Sequence, residues 1–160
     1  MKRAKLDAID LQILATLQAD GRITNVDLSE RVGISAPPCL RRVRALEEAG
    51  FIQGYHADLN GKALGFEVTV FAMVGLHSQA EADLKSFEAL VGSWPLVREC
   101  HMLNGDIDFI LKCVAPDLST FQNFLTGLLT PAPNVASVRT SLTIRQSKHQ
   151  PGVPLEALEG

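Results

Sequence analysis

Cysteine is scarce and unpatterned. The 160-residue chain carries three, at Cys39, Cys100 and Cys113. The count is odd, and no two stand at Cys-x-x-Cys spacing, which speaks against a disulfide framework or a thiolate zinc site. All three are expected to be reduced and to act as small apolar residues. No apolar run approaches the ~18 residues that a membrane helix needs. The start, Met1 to Asp7, is basic but lacks an apolar signal core, so the chain is read as cytoplasmic. A positive surplus is missing too: the net charge is −3, which excludes a wholly basic nucleic-acid binder. There is no glycine-rich phosphate loop. No nucleophile, base and acid can be assembled into a set, so no enzyme, metal or cofactor chemistry is expected. What the chain does have is a hydrophobic fraction of 46%, enough to build one large core or two small ones.

Charge is unevenly spread. Residues 1–50 hold 8 Lys and Arg against 7 Asp and Glu, a local +1, and the remainder carries −4. The same fifty residues predict three short helices. The first spans about 7–19, with Ile9, Ile13, Leu14 and Leu17 at helical spacing, Asp7 as N-cap and Asp10 in the first turn. The second starts from Thr24 and Asp27, at capping-box spacing, and stops at Gly33, which supplies the left-handed geometry of a tight turn. The third starts at Ser35. Pro37 and Pro38 are tolerated in its first turn, where N–H groups have no intrahelical partner. Its expected buried stripe is Cys39, Leu40, Val43 and Leu46, and Gly50 closes it. Arg41, Arg42 and Arg44 fall off that stripe.

Helix, glycine turn and a second helix with a basic outer surface is the helix-turn-helix pattern. A major groove admits such a helix by its N-terminal end, and arginines reach phosphates or guanine edges. By the residues alone, a solvated arginine face on a small helical domain fits as well.

A short linker follows over 51–65, punctuated by glycine and partly β-like, so a linker strand is expected there. Beyond it the periodicity alternates. Residues 67–77, 97–103, 107–114 and 135–144 read as strands; Asn104-Gly105-Asp106 marks a hairpin. Residues 80–91 read as a helix, and so does a stretch capped by Asp117 or Ser119 that buries Phe121, Phe124, Leu125 and Leu128. In the last strand Val138, Leu142 and Ile144 are the apolar positions. The order βαββαβ over 66–147 is ferredoxin-like, with helices on one face of an antiparallel sheet. The whole is an α+β chain: a helix-turn-helix domain over 1–50, this second domain, and an irregular tail over 148–160. The second sheet face needs cover, so a dimer through the C-terminal halves is expected. Asp106 and Asp108 fit either an ordinary turn or a loop that meets the ammonium and carboxylate of a free amino acid. Cys100 and His101, being adjacent, point to opposite sides of a strand and make a poor joint metal site.

The residues are also familiar as a set. Asp10-x-x-Ile13-Leu14, Asp20-Gly21-Arg22, Leu28-Ser29-x-Arg31-Val32-Gly33, Ser35, Pro38-Cys39-x-x-Arg42-Val43-x-x-Leu46-Glu47 and Gly50-Phe51-Ile52-x-Gly54-Tyr55 closely resemble the Lrp/AsnC family, the leucine-responsive regulatory proteins. The resemblance runs from Leu6 to Ser147. Glu99-Cys100-His101-x-x-x-Gly105-Asp106-x-Asp108 is similar to that family's effector loop. The resemblance implies a transcription regulator, cytoplasmic and nucleoid-associated, that binds double-stranded DNA through Ser35, Ala36, Pro37, Arg41, Arg42 and Arg44, with Arg22. It implies an amino-acid effector, leucine or another, held by Met102, Leu103, Asn104, Gly105, Asp106 and Asp108, with Leu118, Ser141 and Leu142. It further implies a homodimer that assembles into a higher oligomer, an octamer in many members, with effector bound where dimers meet. Two other readings stay open: an architectural DNA-compacting protein indifferent to ligands, and an amino-acid-binding accessory subunit of an enzyme.

Overall fold

The computed structural model describes residues 6–158; the basic segment Met1 to Lys5 lies outside them. The described chain forms two compact units. Residues 6–58 together with 148–158 make one, and Leu59–Ser147 make the other. The tail, read from the sequence as irregular, groups with the first unit.

That first unit holds α1 (Ala8–Ala19), α2 (Asn25–Val32) and α3 (Ala36–Glu48). Asp7 and Asp10 form a reciprocal capping box at the start of α1, which satisfies two backbone donors that a helix start leaves open. Thr24 caps α2 by accepting from the Asp27 N–H, and Gly33 ends it at φ 73. Asn25 then ties the turn: its Nδ2 donates 2.9 Å to the Ala36 carbonyl. The core is Ile13, Leu28, Val32, Cys39 and Leu46, with Ile9, Leu14, Leu17 and Val43 packed beside it. Leu40 is not in it; the α3 stripe runs 39, 43 and 46, and Leu40 is left exposed. The linker forms no strand. Residues 51–61 have no ladder partner among the described residues, and Lys62–Leu64 make a 3-10 turn.

The second unit is βαββαβ: β1 (Val68–Leu76), α4 (Glu81–Gly92), β2 (Val97–Met102), β3 (Phe109–Ala115), α5 (Leu118–Phe124) and β4 (Val135–Leu142). The sheet is antiparallel in the order β2-β3-β1-β4. Alternation decides the faces. Val70, Ala72, Val74, Leu76, Phe109, Leu111, Cys113 and Ala115 are all buried under the helices. There they meet Phe87, Trp94, Phe121 and Phe124, with the Phe87 and Phe109 ring centroids 5.0 Å apart.

Past Phe124 the helix widens into a π turn over Leu125–Leu129, closed by an i to i+5 bond from the Thr130 N–H to the Leu125 carbonyl. The extra residue rotates the helix phase. Leu129 is therefore buried, and Leu128, expected inside, is exposed. Ile144 also fails to join the core: β4 ends at Leu142, and Ile144 is 97% exposed.

Candidate functional site

The outer surface of α3 follows from its capping chemistry. Ser35 occupies the N-cap position but makes no side-chain cap bond. The reason is local. An N-cap oxygen accepts from the second or third helical N–H, and those positions are Pro37 and Pro38, which have none. The Ser35 hydroxyl is thus exposed at the mouth of the helix, with no capping role. We expect Thr24→Ala to cost about 1 kcal/mol of stability, and Ser35→Ala less than about 0.5 kcal/mol, because only the former removes a working cap. Urea unfolding of the two variants checks this.

Pro37, Leu40, Arg41 and Arg44 share the exposed face beyond Ser35, and Ala36 is half-buried at its start. The Arg41 and Arg44 side chains make no hydrogen bond or ion pair among the described residues. Arg42 differs from its neighbours on the expected basic face. Its Nη1 donates to Asp7 Oδ2 at 2.8 Å and to Asp10 Oδ1 at 2.7 Å. Position 42 lies three after Cys39 and four before Leu46, so it flanks the buried stripe and turns toward the start of α1. The capping bond from the Asp10 N–H, and then the Arg42 guanidinium, hold the Asp7 carboxyl below its usual range. Arg42 braces α3 against α1 and is internally neutralised. The 39-42-46 spacing was the signal that could have shown it.

Arg22 is exposed too, but in different company. It shares a surface depression with Asp20, Thr24, Asp27, Glu30 and Arg31, where three carboxylates oppose two guanidiniums. Arg31, exposed near the end of α2, was not singled out from sequence. Glu47 is occupied by the Tyr55 hydroxyl, which donates to it at 2.8 Å; burial and that carboxylate push the Tyr55 pKa up to about 12.

The loop 103–108 joins β2 to β3. The Leu103 N–H donates to the Asp108 carbonyl at 2.8 Å, and the Asp108 N–H to the Val74 carbonyl at 3.0 Å. Asp108 is more than a turn residue: its Oδ2 accepts from the Leu76 N–H at 2.6 Å and from Gln79 Nε2 at 3.4 Å. One of its oxygens therefore anchors the loop to the end of β1. Met102, Leu103, Asn104, Gly105 and Asp106 are all exposed.

The remaining effector candidates are elsewhere. Ser141 pairs with Phe71 and Leu142 with Val70, and Leu118 follows β3 at the same sheet end, where Ala115 pairs with Val68. Val70 and Leu76 stand six residues apart on β1, about 20 Å of strand. The two groups thus lie at opposite ends of one sheet. Both ends expose apolar side chains: Met102 59% and Leu103 39% at one, Leu118 46% and Leu142 55% at the other.

The face away from the helices carries Phe71, Met73, Ile110 and Val114, beside a Lys112–Glu99 ion pair of 2.8 Å with His101 3.3 Å from the same carboxylate. Lys112 and then His101 lower the Glu99 pKa. Cys39 and Cys113 are buried, but Cys100 is exposed rather than an interior filler. Among the described residues no cluster of His, Cys, Asp and Glu is arranged to hold a metal ion. No helix there is long and apolar enough to cross a membrane.

Two family models match: a winged helix-turn-helix DNA-binding domain over residues 6–53 and an Lrp/AsnC ligand binding domain over residues 69–153. The chain belongs to the Lrp/AsnC family. Members are DNA-binding transcription regulators with a ligand-binding half, not enzymes. The chain is 62% identical to the leucine-responsive regulatory protein of Rhizobium meliloti (strain 1021), over 91% of this chain and 94% of that one. It is 43% identical to the leucine-responsive regulatory protein of Escherichia coli (strain K12), over 89% and 87%. A transcriptional regulator from Neisseria meningitidis, solved in complex with L-Met, superposes with a TM-score of 0.91 at 36% identity, covering 96% of this chain and 99% of that one. In this Lrp/AsnC member, α2 and α3 are the helix-turn-helix pair and the βαββαβ unit is the ligand-binding half.

Proposed function

We propose that this regulator binds double-stranded DNA through Ser35, Ala36, Pro37, Arg41 and Arg44, with Arg22 and Arg31 on the flank, and that a free amino acid, leucine or another, tunes that binding. The apolar faces of Pro37 and Leu40 suit thymine methyl groups, and the two arginines suit phosphates or guanine edges. A two-fold dimer reads half-sites about 34 Å apart or a multiple of it. The dimer forms by covering the open sheet face, dimers join into a higher oligomer such as an octamer, and the regulator works in the cytoplasm at the nucleoid.

One observation carries the effector reading. The loop 102–108 and the group Leu118, Ser141 and Leu142 sit at opposite ends of the sheet. The gap exceeds any single amino acid, so one subunit cannot offer both to one ligand. A site that uses both is shared between copies, one end from each. Ligand binding then depends on assembly geometry, and linkage makes DNA affinity depend on ligand. The leucine-responsive relatives and the regulator solved with L-Met support an amino acid as the ligand.

The test is complementation. An amino-acid screen by thermal shift first names the effector. Asp106→Ala and Leu118→Glu homo-oligomers then each lose binding in calorimetry. Equal mixtures regain about a quarter of the sites, because a head-to-tail contact reconstitutes intact ones. Mixtures that regain nothing sink the shared site, and a screen without a hit sinks amino-acid sensing.

A further inference from the structure

Residues 148–158 return to the first unit and meet α1 at one side chain. Gln18 Nε2 donates to the Val153 carbonyl at 2.8 Å, and the Val153 N–H donates to Gln18 Oε1 at 2.9 Å. An amide that satisfies both backbone groups of one residue imitates a strand partner and recognises extended backbone rather than a side chain. The preceding residue is fitted to that contact. Gly152 adopts φ +89, and a Cβ built on it would run into the Gln18 side-chain amide. Only glycine combines that backbone with that approach. Earlier in the strap, His149 Nε2 lies 3.2 Å from Asp58 Oδ2, and past Val153 Leu155–Leu158 form a 3-10 turn with Leu155 half-buried.

The place of this strap in the chain gives it a task. It begins at Lys148, six residues after Leu142, the end of β4 and a member of the proposed effector set. The chain therefore connects the DNA-binding unit to the ligand-binding unit twice, through the linker at one end and through the strap at the other. The linker enters the sheet at β1, the neighbour of β4, whereas the strap continues β4 itself.

We propose that Gln18 is a docking site for the chain's own C-terminal strap, and that the docked strap carries the effector signal from β4 to the DNA-binding unit. The coupling half rests on the amino-acid reading above; the docking half does not. A coupling route needs an element with two discrete arrangements, and a strap either seated on or released from one amide is such an element.

Two variants test it from opposite sides. Gln18→Ala removes the amide while keeping a strong helix former in α1. Gly152→Ala leaves α1 untouched and puts a Cβ where the amide sits. In the full-length oligomer, limited proteolysis followed by mass spectrometry should show cleavage within 148–158 accelerated about tenfold in both variants. Amino-acid affinity should stay within about twofold of wild type. The fold-change in duplex affinity on adding that amino acid, typically about 5- to 150-fold where allostery operates, should shrink to within about twofold of unity. The probe is a duplex selected in vitro by the wild-type protein. Unaccelerated cleavage in both variants overturns the docking site. Accelerated cleavage with full effector response overturns the coupling. A wild-type protein that responds to no amino acid sinks the regulatory reading and the coupling with it, while the cleavage rates still decide docking.

Discussion

Replacing Arg41 and Arg44 together with alanine lowers duplex affinity about a hundredfold at moderate salt and flattens its salt dependence. Each phosphate neutralised by a lysine or arginine releases condensed counterions and adds about 0.9 to the slope of log affinity against log salt. Two arginines per subunit and two subunits on the duplex put the expected loss of slope at about 3 to 4. Both side chains are exposed and make no internal ion pair among the described residues, so the fold should be untouched and the melting midpoint unchanged. Arg42→Ala is the contrast. It breaks two contacts to α1, at 2.8 and 2.7 Å, so it lowers the melting midpoint and leaves the salt slope as it was. Fluorescence anisotropy over a salt series, beside thermal unfolding, separates the two. An unchanged slope in the double variant removes α3 from the DNA surface. A flattened slope in Arg42→Ala returns that residue to the contact set.

In the proposed dimer, Phe71→Asp should leave monomers at micromolar concentration. Phe71 sits at the centre of the uncovered sheet face, 36% exposed, between Lys112 on β3 and Ser141 on β4. Covering that face with a second copy places one new carboxylate per subunit in the interface. At about 2 kcal/mol for each poorly paired buried charge, the dimer dissociation constant rises about a thousandfold. The core lies on the opposite face of β1, so far-ultraviolet circular dichroism should keep its native shape. Sedimentation velocity reads the mass. A Phe71→Asp protein that sediments with the wild type moves the dimer contact elsewhere. Amino-acid binding should vanish with the higher oligomer, since each half of the proposed site comes from a different copy.

These outcomes depend on features of unequal visibility. The helix-turn-helix was readable because its determinants are local: Asp7, Thr24 and Gly33 act within a few residues of themselves and serve as caps where the spacing places them. The βαββαβ order was readable for the same reason, since alternation in β1 and β3 is a property of consecutive residues. Leu128 and Leu129 mark where this stops. The π turn moves the buried position by one residue, and no apolar count foresees a hydrogen-bond slip that core packing selects. The pattern placed Leu40 inside and Ile144 in the last strand; the helix phase of α3 and the end of β4 left both in solvent. The linker strand is missing because a strand needs a ladder partner, and none among the described residues pairs with residues 51–61. At the site, the identities of the arginines were legible, but their directions were not. Arg41, Arg42 and Arg44 are chemically identical, and only the position of α1 decides that Arg42 is paired. Asp108 is similar: the loop was visible, but its bond to the Leu76 N–H depends on β1 lying next to β3.

The amino acids alone determined the order of the helices and strands, the caps of α1 and α2, and that one helix offers guanidinium groups, because propensity, capping and periodicity act over a turn or two of chain. Three-dimensional packing alone decided that Arg42 braces two helices, that the effector candidates separate to opposite sheet ends, and that Gln18 holds a tail 135 residues away. Those outcomes arise from contacts between distant segments, and a local pattern carries no record of which segments meet.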